Sequence, residues 1–280
     1  MKNFNGKVAV ITGAGSGMGQ QIAIQLAEKG AAVAVLDING ASAQETAAHI
    51  NQNGGRAISY VADVADREAV SLLAARIADE LGPADILVNN AGILMKSERF
   101  DRMPEEMIER LIDINLRGVL HCTRVFLPQL LSRPEASLVN ISSLGGLVGL
   151  MYQVPYAAAK FAVRGFSEAL RMDMIETNLT VTTVYPGPVA TNIFINSPAM
   201  SREEGLAGQE SMMTVKPVPA EKAGHLIIDG IRKRRPKVVI GGQAKAMDIL
   251  ARIAPNTYTK ILYKPVKKMM DATDTGAAAR

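Results

Sequence analysis

Lys7-Val-Ala-Val-Ile-Thr-Gly-Ala-Gly-Ser-Gly-Met-Gly19 is the stretch from which the fold of this chain can be read. It opens as a short β-rich apolar run over residues 7–12, turns on Gly13, Gly17 and Gly19, and passes into a helical apolar stripe at Ile22 and Leu26. Strand, glycine turn and helix in that order make a phosphate-binding unit. The glycines let the backbone approach a pyrophosphate closely, and the exposed N–H groups at the helix start offer it partial positive charge. The spacing is G-x-x-x-G-x-G, with Met18 where the G-x-G-x-x-G version needs its third glycine.

Working outward, a second strand over residues 31–36 ends in Asp37, eighteen residues after Gly19. An acidic group there is placed to accept hydrogen bonds from the adenosine ribose hydroxyls and repels a 2′-phosphate. Ile38 and Asn39 beside it and Ser16 in the turn are uncharged, so no cation is evident for a 2′-phosphate and NAD is the expected cofactor. Alternation continues with helices over 42–53 and 67–81 and strands over 56–61 and 85–88. It resumes with a long helix over 105–131, a strand over 137–141, a helix from Pro155, and a strand over 180–185. A helix over 219–232 and a strand over 237–240 complete it. This order predicts a Rossmann-like α/β fold: a doubly wound, seven-stranded parallel sheet with helices on both faces, followed by a C-terminal helical extension. Residues 1–242 read as one domain, 243–270 as a basic amphipathic extension and 271–280 as a disordered tail. Ligands of such sheets sit at the carboxyl ends of the strands. Asp63-Val64 and Asn89-Asn-Ala-Gly92 fall there, just past the third and fourth strands.

Composition narrows the function classes. The chain has 280 residues and one cysteine, Cys122, which excludes an intrachain disulfide; with no C-x-x-C and only scattered histidines (His49, His121, His225), no metal site is expected. A reducing, cytoplasmic setting fits, and neither a signal peptide nor a membrane span is read from the sequence. The net charge of +4 is uneven: residues 1–215 hold 17 Lys+Arg against 22 Asp+Glu, whereas residues 216–280 hold 14 against 5. The basic, amphipathic final quarter is compatible with a peripheral contact on an anionic membrane, with a partner subunit, or with packing on its own domain. No reader motif accompanies the charge, so nucleic acid is not an expected partner.

Tyr156-Ala-Ala-Ala-Lys160 carries candidate chemistry. Four residues on a helix put the phenol and the ammonium on one face, about one turn apart. A phenol with a pKa near ~10 is a poor acid-base group at neutral pH, and a fixed cation nearby lowers that value at about 1.4 kcal/mol per unit.

Several motifs in order resemble the short-chain dehydrogenase/reductases of the roughly 250-residue branch. They are T-G-x-x-x-G-x-G ending at Gly19, N-N-A-G at Asn89–Gly92, a helix Asn at Asn115, Ser143 thirteen residues before Tyr156, Y-x-x-x-K, and P-G-x-V-x-T at residues 186–191. The resemblance covers about residues 5–242. It implies Tyr156 as general acid/base for hydride exchange with a nicotinamide, and Lys160 lowering the phenol's pKa and holding the nicotinamide ribose. It also implies Ser143 polarising the substrate oxygen and Asn115 anchoring a water that links Lys160 to solvent. For the cofactor it implies Gly13, Ser16, Gly17, Met18 and Gly19 at the phosphates, Asp37 at the ribose, and Asp63 and Val64 at adenine. Asn89, Ala91, Gly92, Pro186, Gly187, Val189 and Thr191 complete the NAD site. The family's helix pairing implies a homodimer or homotetramer.

Substrate choice falls to residues 144–154 and 192–215, rich in Leu, Val and Met. Those residues favour an apolar secondary alcohol or ketone, steroid-like, aryl or alkyl. A 3-oxoacyl-type reductase and a non-catalytic NAD(H) sensor or scaffold are the alternatives.

Overall fold

The computed structural model describes residues 1, 3–197, 200–213, 215–264 and 266–267. The chain runs β1 (Val8–Thr12), α1 (Gly17–Ala27), β2 (Ala32–Asp37), α2 (Gly40–Gln52), β3 (Arg56–Val61), α3 (Arg67–Glu80) and β4 (Ile86–Asn89). It continues through α4 (Glu105–Ile112), α5 (Gly118–Ser132), β5 (Ala136–Ile141), α6 (Val154–Asp173), β6 (Leu179–Pro186), β7 (Val189–Ala190) and α7 (Arg202–Met213). It closes with β8 (Val218–Pro219), α8 (Ala220–Arg232), β9 (Lys237–Ile240) and α9 (Gly242–Ile253).

Seven strands pair in parallel in the order β3-β2-β1-β4-β5-β6-β9, the doubly wound sheet that the alternation predicts. In β1, Ala9 and Ile11 enter one core and Val8 and Val10 the other, so every residue of the strand is buried. On the first face, Ile22 and Leu26 of α1 meet Ile227 and Ile231 of α8. On the second, Ile77 of α3, Leu111 of α4, Phe126 of α5 and Leu170 of α6 pack together. Each such aliphatic or aromatic side chain contributes roughly 1.5–3 kcal/mol on burial. Strand order reverses between β1 and β4, and a crevice opens there at the carboxyl ends. Asn39 and Asp66 cap α2 and α3 by accepting from Ser42 N–H (3.2 Å) and Ala69 N–H (2.9 Å), which fixes the chain's exit from that rim.

Three features differ from the sequence expectation. The helix expected over 105–131 is interrupted by a π turn over Asp113–Arg117, where the Gly118 N–H reaches back five residues to Asp113 O. The cover over 192–216 contains α7, whose weak amphipathicity left no periodic signal. The two-residue strands β7 and β8 pair in parallel behind the Pro186–Gly187 turn. The extension begins as α9, and helix resumes from Tyr258; Lys268 and residues 271–280 lie outside the described residues. Among the described residues no helix is long and apolar enough to cross a membrane, and no group of three His, Cys, Asp or Glu could hold a metal ion.

Candidate active site

The carboxyl ends of the strands surround a cleft of about 590 Å³. Sixteen of the predicted residues line it: Gly13, Ser16, Gly17, Met18, Asp37, Asp63, Val64, Ala91, Gly92, Ser143, Tyr156, Lys160, Pro186, Gly187, Val189 and Thr191. Gly19, Asn89 and Asn115 stand behind its wall.

At one end the glycine turn leads into α1. Gly13 and Gly17 hold φ of +62° and +55°, and Gly19 is pressed so close beneath that an added Cβ would lie 2.1 Å from Gly13 O. Among the described residues no side chain caps the helix N-terminus, and its first turn carries no acid, so the helix start is electrostatically suited to a phosphate. Asp37, at the end of β2, accepts from Gly15 N–H through Oδ2 and from Asn39 N–H through Oδ1, both at 2.9 Å. Those contacts fix its carboxylate on the cleft wall and leave each oxygen further acceptor capacity. Asp63 pairs with Arg110 at 2.8 Å, a half-exposed bridge that orders this rim more than it stabilises it.

Asn90, not Asn89, staples β4 to the glycine turn. Its Nδ2 donates to Thr12 O and Gly13 O, each at 3.0 Å, while Thr12 Oγ1 accepts from the N–H groups of Asn90 and Ala91. Asn89 points into the core, donating to Thr123 Oγ1 (3.0 Å) and Asn140 Oδ1 (2.8 Å), and Asn140 donates to Ser167 Oγ (2.9 Å). That buried relay ties α5, β4, β5 and α6 together beneath the cleft. Asn90 was legible within the N-N-A-G motif; Arg110, inside a helix, carried no separate signal.

At the other end lies the catalytic candidate set. Pro155 sits in the first turn of α6, where its missing N–H costs nothing, and Tyr156 follows it at the positive end of the helix dipole. Burial pushes the Tyr156 phenol above its usual range, and a hydrogen bond with Ser143 opposes that. Burial likewise pulls the Lys160 ammonium down to about 8. Lys160 Nζ donates to Ile141 O at 3.2 Å and lies 5.7 Å from the Tyr156 ring centroid. The expected lowering of the phenol by Lys160 thus meets a different balance, in which burial and Ser143 set the phenol while the ammonium is turned toward Ile141. Ser142 is buried and spent, donating to Lys160 O at 2.8 Å. Ser143 accepts from Gly145 N–H at 3.1 Å and faces the cleft.

Asn115 lies in the π turn. Its Nδ2 donates to Ile93 O (3.0 Å) and Leu111 O (3.2 Å), a side chain inserted into the helix ladder, while its buried Oδ1 has no partner among the described residues. A Cβ on Gly92 would stand 2.7 Å from that Oδ1 and 3.4 Å from Lys160 Nζ, so only glycine leaves the space between them open. Cys122 is packed in the core, its thiol pushed up to about 12 by burial, and takes no part in the site.

A helix start with no side-chain cap among the described residues, a fixed carboxylate one strand away, and a buried phenol and ammonium beside a part-buried hydroxyl are gathered in one cleft of a doubly wound α/β fold. The sequence profile of the short chain dehydrogenase family matches residues 7–202, and the chain belongs to the short-chain dehydrogenase/reductase family. It is 38% identical over 271 residues to SadH of Mycobacterium tuberculosis, covering 96% of this chain and 98% of that protein. It is 34% identical over 188 residues to the cyclohexanol dehydrogenase of an Acinetobacter strain, covering 67% of this chain and 75% of the other. Among solved structures, a short chain dehydrogenase/reductase of Burkholderia phymatum in complex with NAD superposes with a TM-score of 0.82 at 26% identity, over 90% of this chain and 95% of that one.

Proposed function

We propose that the protein is an NAD-dependent oxidoreductase that exchanges a hydride between the cofactor and an apolar secondary alcohol or ketone, with Tyr156 as the general acid/base. The observation that carries this reading is the convergence of Ser143, Tyr156 and Lys160 on one end of a cleft whose other end presents Asp37. NAD, when bound, supplies the hydride acceptor. Tyr156 takes the hydroxyl proton during oxidation and returns it during reduction, Ser143 orients the reacting oxygen, and Lys160 and Asn115 connect the phenol to a proton path. Asp37 favours NAD over NADP, because a 2′-phosphate would meet a fixed carboxylate.

Leu94, Leu144, Leu150, Ile193 and Phe194 line the substrate side of the cleft, which supports an apolar ligand of the steroid-like, aryl or alkyl kind. The relative named cyclohexanol dehydrogenase accords with that class. A 3-oxoacyl-type reductase is disfavoured by Asp37, and a non-catalytic NAD(H) sensor has no use for the proton-transfer groups. Initial rates with NAD and NADP on a panel of secondary alcohols and ketones, beside a 3-oxoacyl thioester, test the assignment. Turnover confined to the thioester with NADPH would overturn it.

A cytoplasmic protein is our reading of its compartment, with a homodimer or homotetramer as its assembly. Phe161 and Met172 on α6, exposed by 38% and 75%, support pairing through that helix, and sedimentation velocity measures it. Exposed Ile249, Ile253, Ile261 and Tyr263 stand among Lys245, Arg252, Lys260 and Lys264, which supports peripheral contact with an anionic membrane. Equal partitioning of full-length protein and a version ending near Gly242 onto anionic liposomes would contradict that contact.

A further inference from the structure

The C-terminal extension touches the loop before α6 and the turn after β6, both of which line the cleft. At its start, Ala244 is fully buried against the Pro186–Gly187 turn: a Cβ on Gly187 would lie 3.4 Å from Ala244 Cβ and 3.5 Å from Ala244 N. Half a helix further on, Asp248 accepts from Lys237 Nζ of β9 at 2.6 Å and pins α9 to the sheet edge. Beyond α9 the chain turns, with Tyr258 N–H donating to Ala254 O at 2.9 Å, and there the Tyr258 hydroxyl accepts from Gly149 N–H at 3.2 Å.

Gly149 belongs to the segment between Ser143 and Tyr156, and its neighbour Leu150 lines the cleft. A Cβ on Gly145 would lie 3.0 Å from Leu150 Cδ1 and 3.4 Å from the Tyr156 ring, so Leu150 packs directly over the first turn of that loop. The opposite side of the loop is already tied down. Glu98 N–H donates to Tyr152 O at 3.1 Å, and Gln153 Nε2 donates to Met95 O at 2.9 Å and Ser97 Oγ at 3.0 Å. Tyr152 holds φ +62°, a left-handed conformation that a tyrosine keeps only when its surroundings enforce it.

We infer that the extension is a strap across the active-site mouth, and that Tyr258 is a positioning residue that holds the Gly149–Leu150 segment against the substrate. The inference rests on the oxidoreductase reading only for its kinetic consequence. Tyr258 acts on the alcohol subsite through Gly149, away from Asp37 and the glycine turn on the far strands, whereas the strap meets the expected cofactor residues through Ala244 at Gly187.

Tyr258→Phe in the full chain removes the hydroxyl and keeps the ring, so the packing survives. Hydrogen–deuterium exchange of the peptide spanning residues 144–153 should accelerate, because one net hydrogen bond corresponds to roughly a threefold to tenfold change in local opening. KM for the best apolar alcohol should rise by a similar factor, with kcat, NADH affinity and the pH profile unchanged. Tyr258→Ala should enlarge both effects. Faster exchange without turnover of any alcohol would uphold the strap and count against the oxidoreductase reading. Unchanged exchange in both variants, or a fall in NADH affinity matching the rise in KM, would overturn the strap.

Discussion

Lys160 Nζ lies 5.7 Å from the centroid of the Tyr156 ring, and both side chains are buried, 4% and 8% exposed. One helical turn separates them along α6. Their burial disfavours the charged form of each, raising the phenol and lowering the ammonium to about 8. The pair therefore carries an unfavourable desolvation cost at the end of the cleft where we propose proton transfer.

Lys160→Met should consequently make the protein more stable at neutral pH while abolishing turnover. The folded-state pKa of Lys160 is depressed from its ordinary 10.5 to about 8, so the folded state is penalised at and below pH 8. The unfolded chain holds the extra proton between those values, so the penalty is relieved as pH rises from 8 toward 10.5. The expected gain is on the order of 2–3 kcal/mol at pH 7, shrinking as the pH is raised. Thermal or urea unfolding of the variant and the parent at pH 7 and pH 10 measures it.

Asp37→Ala should narrow the preference for NAD over NADP by roughly one to two orders of magnitude, since in the proposed reading one carboxylate supplies both the ribose acceptor and the repulsion of a 2′-phosphate. The same substitution removes acceptors for Gly15 N–H and Asn39 N–H, so NAD should also bind more weakly. The ratio of kcat/KM for the two cofactors is the readout; a lower KM for NADP in the parent protein would sink the assignment.

Gly19→Ala should cost ~3 kcal/mol or more, or prevent folding, because the methyl would sit 2.1 Å from Gly13 O, and backbone cannot yield as a side chain does. Gly54→Ala, by contrast, meets no atom of the described residues within 4 Å and serves as the control, its cost limited to the strain of φ +80°. Urea midpoints of the two variants separate steric from backbone effects.

The sheet was legible because β1 and β4 are buried on both faces and read as apolar runs up to a single polar residue at the strand end, while β5 is buried throughout but carries Ser137 and Asn140. The cleft wall followed because Asp37, Asp63, Ala91, Ser143 and Gly187 fall at or just past strand ends that the topology must bring together, whereas Tyr156 and Lys160 are carried by α6. Less was visible where a local rule was overridden. The π turn at Asn115 arises where a side-chain amide enters the helix ladder, which periodicity averages away. Asn89 and Asn90 are indistinguishable by composition, and only the side-chain alternation of β4 sends the first into the core and the second to the cleft. The α7 cover lacks an amphipathic stripe, and the Tyr258–Gly149 bond joins residues 109 apart in sequence, beyond reach of any local pattern.

The most direct test of the central claim is Tyr156→Phe, assayed by NADH fluorescence titration beside NAD-linked turnover of the best alcohol in the panel. Phenylalanine fills the same buried space and removes only the proton-carrying oxygen. Turnover should fall by roughly 10²- to 10⁴-fold with NADH affinity and the unfolding midpoint preserved; turnover equal to the parent protein would contradict the assignment of the acid-base role to Tyr156.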